Sequence, residues 1–118
     1  MNRRKKATSI PQKVKEAVYE RDNHKCVLCG KWAERSWACA HYIRRSQGGL
    51  GIEKNIVTLC PVCHMAYDES SRRNEIKAYL GEYLSNHYDE WSEDELRYRK
   101  WTEVQQAESQ NEKGQLEN

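Results

Sequence analysis

Seven side chains that can bind a metal ion or take part in hydrolysis lie within one short stretch of this chain. Four are cysteines in two CxxC pairs, and the others are two histidines and an asparagine: Cys26, Cys29, His41, Asn55, Cys60, Cys63 and His64. Thiolates and imidazoles are preferred zinc ligands, and an imidazole also suits a general base because its ordinary pKa is about 6.5. The pattern therefore indicates a zinc site, a catalytic site, or both.

The spacing of the cysteines favours zinc. Two residues separate the cysteines of each pair, so both sulfurs of a pair can reach one ion from a single turn, and thirty residues separate the pairs. Such a shell of four thiolates has no open position, so we predict a structural zinc held by all four cysteines. The alternative is that some cysteines are small buried residues, which is the interpretation we give to the fifth, Cys39.

The composition leaves room for such a metal. The chain has 118 residues, enough for one small domain, with 37% apolar and 32% charged residues and no phenylalanine. A core formed by area burial alone would be thin, and a structural zinc would compensate for this. There is no apolar run of about 18 residues that could span a membrane, and no secretory signal. We therefore expect a cytoplasmic, intracellular protein with reduced thiols and no membrane partner.

The elements that must position these side chains can be predicted from local patterns. We predict a flexible basic arm over residues 1–9, one domain over residues 10–106 and a polar tail over residues 107–118. Within the domain the patterns predict a helix from Ser9 to Asp22, strands at "WACAHYI" and "NIVTLC", a glycine-rich loop between them, and helices from Cys63, in "NEIKAYLGEYLSNHY" and in "EDELRYRKWTEV". The last helix would begin at a Ser92–Glu95 capping box and turn Trp91, Leu96, Trp101 and Val104 towards the domain.

The segments "CVLCG", "AHYIRRSQGG", "EKNIVTLC" and "CPVCH" occur in an order that resembles the HNH endonuclease family, also called ββα-metal or His-Me finger nucleases. The resemblance covers about residues 24–68. It implies an α+β fold, with a small zinc-stapled ββα-metal core and additional flanking helices. It also implies a small phage- or prophage-type enzyme that hydrolyses DNA phosphodiester bonds, either by nicking or with low sequence specificity. Phage packaging proteins such as terminase are the partners that this resemblance suggests.

The catalytic roles follow from the chemistry of phosphodiester hydrolysis, which needs a base to activate water and a cation to stabilise charge on the phosphate. His41 suits the base. His64 suits one ligand of a divalent ion such as magnesium or manganese, the rest of whose shell would come from waters and phosphate oxygens. By resemblance, Asn55 is a structural clamp across the loop between the strands, so that His41 points into the site.

One position departs from the family pattern. The family usually has a metal ligand directly before the base histidine, and this chain has Ala40 there. Asp68 lies four residues after His64, on the same face if the helix continues, and is the nearest spare carboxylate; its alternative role is a solvated residue at a helix end. Ala40 also leaves open a second function, that of a zinc-stabilised DNA- or partner-binding module that has lost cleavage.

Contacts to DNA are assigned to basic residues near the predicted base. Arg44 and Arg45 follow His41 by three and four residues, and we place the scissile-phosphate contact there. Further candidates, each of which can equally be a solvated surface charge, are Lys31, Arg35, Arg72 and Arg73. No recognition helix is apparent, so we expect low sequence specificity. A third hypothesis is a protein-interaction adaptor that uses the aromatic helices after residue 74 and the acids of residues 89–95.

Overall fold

The computed structural model of this protein describes residues 3–99. Its helices are α1 (Arg3–Thr8), α2 (Gln12–Arg21), α3 (Pro61–Glu69) and α4 (Arg73–His87), its strands are β1 (Ala40–His41) and β2 (Ile56–Val57), and 3-10 turns cover Arg35–Trp37, Arg45–Gln47, Glu53–Asn55 and Glu93–Leu96. This mixture of helices with one small sheet confirms the predicted α+β class. Within residues 3–99 no helix combines the length and the apolar content that crossing a membrane requires.

A hairpin followed by a helix forms the centre of the fold. The two strands pair antiparallel, with Ala40 opposite Val57 and His41 opposite Ile56. The loop between them depends on glycine, because a Cβ on Gly49 would lie 1.7 Å from the carbonyl oxygen of Ile43. Helix α3 follows β2 directly, which completes the ββα unit. The strands are shorter than predicted, since pairing is limited to two residues on each side.

The core lies on both sides of this hairpin. One cluster joins the hairpin to α3 and α4 and includes Tyr42, Ile43, Leu59, Tyr67, Ile76, Leu80, Leu84 and Leu96. A second, smaller cluster joins α2 to the hairpin and consists of Val18, Tyr19, Ala33, Ala38 and Ile56. In α4 the buried residues Ile76, Leu80 and Leu84 recur every four positions and Gly81 lies beside them, so this helix turns one apolar face inward.

The N-terminal segment differs from the predicted flexible arm. Residues 3–8 form α1, and Thr8 is only 2% exposed. The backbone N–H of Gly51 donates to the carbonyl of Ala7 at 3.0 Å, and Arg4 donates to the carbonyl of Ser46 at 2.7 Å. These contacts are made with residues more than forty positions away in sequence, so composition alone could not reveal them.

The helix predicted after Ser92 does not continue through residues 97–99. Ser92 does accept a hydrogen bond from the backbone of Asp94, but the helical turn stops at Leu96. Arg97 then pairs with Gly49 in an antiparallel bridge, and Leu50 donates to the carbonyl of Leu96 at 2.8 Å. Pairing with the glycine loop therefore overrides the local helix propensity. Trp101, Val104 and the predicted tail over residues 107–118 lie outside the described residues.

Candidate metal centre and catalytic cleft

The four cysteines of the two CxxC pairs converge on one point. Their sulfur atoms all lie within 4.8 Å of one another, and the sulfurs of Cys29 and Cys60 are 3.8 Å apart. A tetrahedral shell with zinc–sulfur bonds of about 2.3 Å requires sulfur–sulfur distances of about 3.8 Å. The cluster therefore has the ligand type and size that suit zinc. Among residues 3–99 no other group of three or more cysteines, histidines or acids is close enough to share an ion.

Local turns place the sulfurs. Gly30 adopts a left-handed conformation, φ +79°, and its N–H donates to the carbonyl of Cys26 at 2.9 Å, which closes the first CxxC turn. Cys60 caps α3, because its sulfur accepts the backbone N–H of Cys63 at 3.4 Å. The N–H of Val27 donates to the carbonyl of Thr58 at 2.9 Å, and this bond holds the two turns side by side.

The four thiols affect one another's ionisation because their sulfurs lie so close together. Burial acts to raise the pKa of Cys60, but hydrogen bonds from Cys63 and the neighbouring thiols lower it to about 7. Burial and the same neighbours raise the pKa of Cys63 well above its ordinary value. Sulfurs this close cannot all carry a negative charge without a cation between them. Ionisation of the full set therefore requires the metal ion that the geometry accommodates.

A second site lies beside the metal centre, in an open cleft of about 410 Å³. Its lining consists of His41, Arg44, Arg45, Ser46, His64, Asp68 and Glu69. The structure thus brings together both histidines, both arginines and the carboxylate that were singled out in the sequence. Three parts of the chain supply them: the end of β1, the loop after it, and α3.

His41 is held by a backbone carbonyl, a partner that no residue type could reveal in advance. Its Nε2 lies 2.9 Å from the carbonyl oxygen of Thr8, which belongs to α1. Burial lowers the pKa of His41 below its ordinary value, and the charges of Arg45 and His64 act in the same direction, whereas Thr8 and Asp68 oppose the shift. The neutral imidazole is therefore favoured. Because a carbonyl can only accept, Nε2 carries the proton and Nδ1 keeps its lone pair.

His64 and Asp68 lie side by side in the cleft, and both side chains have atoms that can bind a metal ion. Nε2 of His64 lies 3.2 Å from Oδ2 of Asp68, one turn further along α3, and the Asp68 carboxylate is 41% exposed. Arg73 approaches the same carboxylate at 3.9 Å. Ala40, in the position where a ligand was expected, is fully buried opposite Val57 and adds only a methyl group to the core. Besides His41, the imidazole and carboxylate side chains that line the cleft are therefore those of His64, Asp68 and the exposed Glu69.

Asn55 lies below the cleft and is fully buried. Its Oδ1 accepts the N–H of Ile43 at 2.8 Å, and its Nδ2 donates to the carbonyls of Ile43 at 3.3 Å and Leu50 at 2.9 Å. These bonds join both sides of the loop that leaves β1. They fix the backbone two residues after His41, so Asn55 has the contacts of a clamp and does not itself line the cleft.

The two arginines of the cleft are anchored and still have donors to spare. Arg44 donates to the carbonyl of Asp68 at 2.8 Å, while Arg45 donates to the hydroxyls of Thr8 at 3.1 Å and Ser9 at 2.8 Å. A guanidinium has five N–H donors, so each can also bind a phosphate oxygen. Of the further basic candidates, Arg73 reaches Asp68, whereas Lys31, Arg35 and Arg72 do not line the cleft.

Comparison with known proteins gives a family match over this region and a similar protein. The family model described as HNH endonuclease matches residues 26–69, which include the cysteine cluster and the histidines, arginines and Asp68 of the cleft. The chain is also 30% identical over 69 residues to Anaredoxin from Nostoc sp. (strain PCC 7120 / SAG 25.82 / UTEX 2576), an alignment that covers 58% of this chain and 88% of that protein. No solved structure matches the chain.

Proposed function

This chain belongs to the HNH endonuclease family, and we propose that it is a metal-dependent endonuclease that hydrolyses phosphodiester bonds of DNA. The observation that carries the proposal is the cleft in which His41, the His64–Asp68 pair and two arginines face one open space. A base, a metal-ligating pair and phosphate-binding cations are the three parts that this hydrolysis needs.

His41 is the general base of the proposed reaction. The imidazole is neutral because burial lowers its pKa, and the Thr8 carbonyl leaves Nδ1 as the nitrogen that can accept a proton from water. A base at this position contributes about 10²–10⁴-fold to the rate. Asn55 supports it indirectly, by fixing the loop that begins at Tyr42 and Ile43.

A divalent ion such as magnesium or manganese fits the remaining donors. His64 and Asp68 would hold it, with water and phosphate oxygens completing its shell, an arrangement that magnesium accepts readily. Such an ion would stabilise charge on the phosphate and on the leaving oxygen. Zinc is proposed as the structural metal of the four cysteines, and it is separate from this catalytic ion.

The DNA backbone is the proposed binding target of Arg44 and Arg45. Their side chains are anchored by backbone and hydroxyl groups, so they are preorganised for phosphate contact. Phosphate contacts position a protein on DNA without reading its sequence. We therefore propose a nicking or low-specificity enzyme. Partnership with phage packaging proteins such as terminase, and a cytoplasmic, phage- or prophage-encoded origin, remain predictions from the family resemblance alone.

The test is incubation of supercoiled plasmid with purified, zinc-loaded protein and added magnesium, manganese or nickel. We expect nicked or linear product with at least one ion, none with a chelator, and a rate about 10²-fold or more lower for His41→Ala. His87→Ala is the matched control, because His87 is exposed on α4 and does not line the cleft. Equal activity of His41→Ala and the wild type would remove His41 from the proposed mechanism.

Ala40 supports a second candidate, a zinc-stabilised DNA-binding module without cleavage. The buried methyl group of Ala40 cannot replace the missing ligand, so the ion has fewer protein donors than the family pattern provides. This candidate predicts that the protein retains DNA, with affinity that falls steeply as salt rises, but yields no product with any ion. The same plasmid experiment, read for retarded mobility as well as for cleavage, separates the two functions.

A further inference from the structure

Helix α1 lies outside the matched residues 26–69, yet it completes the cleft. The acceptor for Nε2 of His41 is the carbonyl of Thr8, the last residue of this helix. In water a neutral histidine exchanges between two tautomers, whereas a carbonyl partner stabilises only the one with the proton on Nε2. Thr8 is therefore a positioning residue for the nitrogen that must accept a proton.

Several contacts hold α1 in this place. Arg45 donates to the hydroxyls of Thr8 and Ser9, and Arg4 donates back to the carbonyl of Ser46. The N–H of Gly51 donates to the carbonyl of Ala7 at 3.0 Å. Hydrogen bonds thus join both ends of α1 to the loop between β1 and β2.

Gly51 makes this close approach possible. A Cβ on Gly51 would lie 2.0 Å from the carbonyl oxygen of Ser9 and 2.5 Å from its carbonyl carbon. These are backbone atoms, so the segment that follows α1 would have to move. Gly51 does not have a positive φ, and alanine would therefore be compatible with its own backbone conformation. Substitution at Gly51 acts mainly through the docking of the N-terminal segment.

The charge of α1 provides a reason for DNA to affect this docking. Four consecutive basic residues, Arg3 to Lys6, lie in a helix of six residues that contains no acid. So short a helix is marginal without tertiary contacts, and its like charges repel one another. Arg4 and Lys5 line a cleft of about 480 Å³ whose other lining residues are Thr8, Arg45 and Ser46. Arg45 and Ser46 also line the catalytic cleft, so the two clefts adjoin.

We propose that α1 is a DNA-responsive positioning element: the cleft lined by Arg4 and Lys5 binds a backbone phosphate next to the scissile one, and the carbonyl of Thr8 thereby holds His41 in its Nε2-protonated form. The proposal rests on the proposed endonuclease function for the identity of the ligand. A phosphate bound there neutralises charge on α1 and stabilises its docked position, because opposite charges close together attract. Binding of the substrate and orientation of the base are then linked through one helix.

The test uses the full chain, zinc-loaded and in buffer to which no magnesium or manganese is added, so that DNA stays intact. Nitrogen NMR of the ¹⁵N-labelled imidazoles reports the tautomer of His41, and fluorescence anisotropy reports binding of a short duplex at several salt concentrations. We expect wild-type His41 to be protonated on Nε2, more completely with DNA than without. In Gly51→Ala this preference should fall to that of a free imidazole, for which Nε2 protonation is only the more common of two forms, and cleavage in the presence of a divalent ion should be about tenfold or more slower.

The double variant Arg4→Ala/Lys5→Ala tests the phosphate cleft. It should bind DNA more weakly, and the slope of log affinity against log salt concentration should decrease in magnitude by about one to two, as expected for one to two lost phosphate contacts. DNA should also no longer increase the Nε2 preference. Lys13→Ala/Lys25→Ala is the charge-matched control, since Lys13 is exposed on α2, Lys25 packs on the Trp32 ring, and neither lines either cleft. A decrease in the salt dependence as large in the control as in the double variant would overturn the phosphate cleft.

An unchanged tautomer in a folded Gly51→Ala protein would overturn the role of Thr8. If that variant does not retain zinc and helical content, Arg4→Ala replaces it, because it removes the bond to Ser46 and leaves Gly51 intact; the same loss of Nε2 preference is expected. Tautomer and binding are measured without cleavage. A protein that shows both effects but cuts no DNA would therefore contradict the proposed enzyme activity and leave the coupling through α1 intact.

Discussion

The four-cysteine cluster and the histidine cleft share helix α3 but are built in opposite ways. Cys63 and His64 are neighbours on this helix, and each belongs to a different site. The cluster takes its ligands from two local turns and leaves no position open, whereas the cleft gathers side chains from β1, the following loop and α3 around an open space. The closed site can hold the fold together, while the open site is free to bind a substrate. The difference predicts that removing the metal of the cluster affects folding, whereas removing an ion from the cleft affects only the reaction.

The largest effect is expected from loss of a cysteine ligand. Cys60→Ser should prevent stable folding, because binding of a structural zinc contributes about 10–16 kcal/mol in small metal-dependent domains. Circular dichroism and metal quantitation check this, with zinc content expected to fall together with helical content. Cys39→Ser is the matched control, since Cys39 is half-buried and lies outside the cluster. A Cys60→Ser protein that keeps the wild-type melting temperature would contradict the structural role of the cluster.

The cluster was also the part that the sequence predicted most completely. The two CxxC spacings determine which sulfurs can meet, because each pair is closed by its own turn at Gly30 or at the start of α3. The cleft was only partly predictable. His41, His64 and Asp68 could be named from their spacing, but the partner of His41 is a main-chain carbonyl, which every residue has and no residue type reveals.

The errors at the two ends of the domain have the same cause. The basic composition of α1 and the capping box at Ser92 are local signals, and both were interpreted without their distant partners. The loop that contains Gly48, Gly49 and Gly51 supplies those partners, by accepting the N-terminal segment on one side and pairing with Arg97 on the other. Glycines that appeared to serve only a tight turn therefore also allow close approach of two other segments.

The next largest effect is expected at Asn55, the clamp across the loop that follows β1. Asn55→Ala would leave the N–H of Ile43 and the carbonyl of Leu50 without their partner in a fully buried position. Each unsatisfied buried group costs about 1–3 kcal/mol, so we expect a loss of about 2–5 kcal/mol in the free energy of unfolding, measured with denaturant, together with loss of cleavage. Zinc should stay bound in the folded fraction.

Asn74→Ala is the control for the clamp, because Asn74 is exposed on α4 and a change there should stay within about 0.5 kcal/mol. If Asn55→Ala unfolds with the wild-type free energy, the bonds across the loop contribute nothing to stability, and Asn55 must then be examined for a direct role in the reaction.

A smaller, purely functional effect is expected at Asp68. Asp68→Asn keeps the shape of the side chain but removes its charge, so the concentration of magnesium that gives half-maximal cleavage should rise about 10-fold or more. The melting temperature should change little, because the carboxylate is 41% exposed and its ion pairs are solvent-screened. Asp94→Asn is the control, an exposed acid that does not line the cleft. A requirement for magnesium that is the same in both variants would remove Asp68 from the proposed ligands of the ion.

The smallest effect concerns pH and separates the base from the ion. A base acts in its neutral form, and burial lowers the pKa of His41, so cleavage should rise with pH, have its midpoint below about 6.5 and be level at neutral pH. The lowered pKa means that folding favours the neutral form of His41. Any stability from this is present at neutral pH and is lost as the pH falls through the pKa of the unfolded state and then through the lower pKa of the folded state. The charged and titratable groups that act on His41 are Arg45, His64 and Asp68, of which Arg45 and His64 lower its pKa and Asp68 raises it.

Single-turnover rates measured across this range with magnesium and again with manganese check the assignment. If His41 is the titrating group, the two midpoints should nearly coincide, whereas the pKa of a metal-bound water changes with the ion. Arg45→Gln should move the midpoint upward, because it removes a positive charge that disfavours the imidazolium. A midpoint above about 6.5, or one that moves with the metal and ignores Arg45, would assign the titration to water on the ion instead of to the histidine that α1 holds in place.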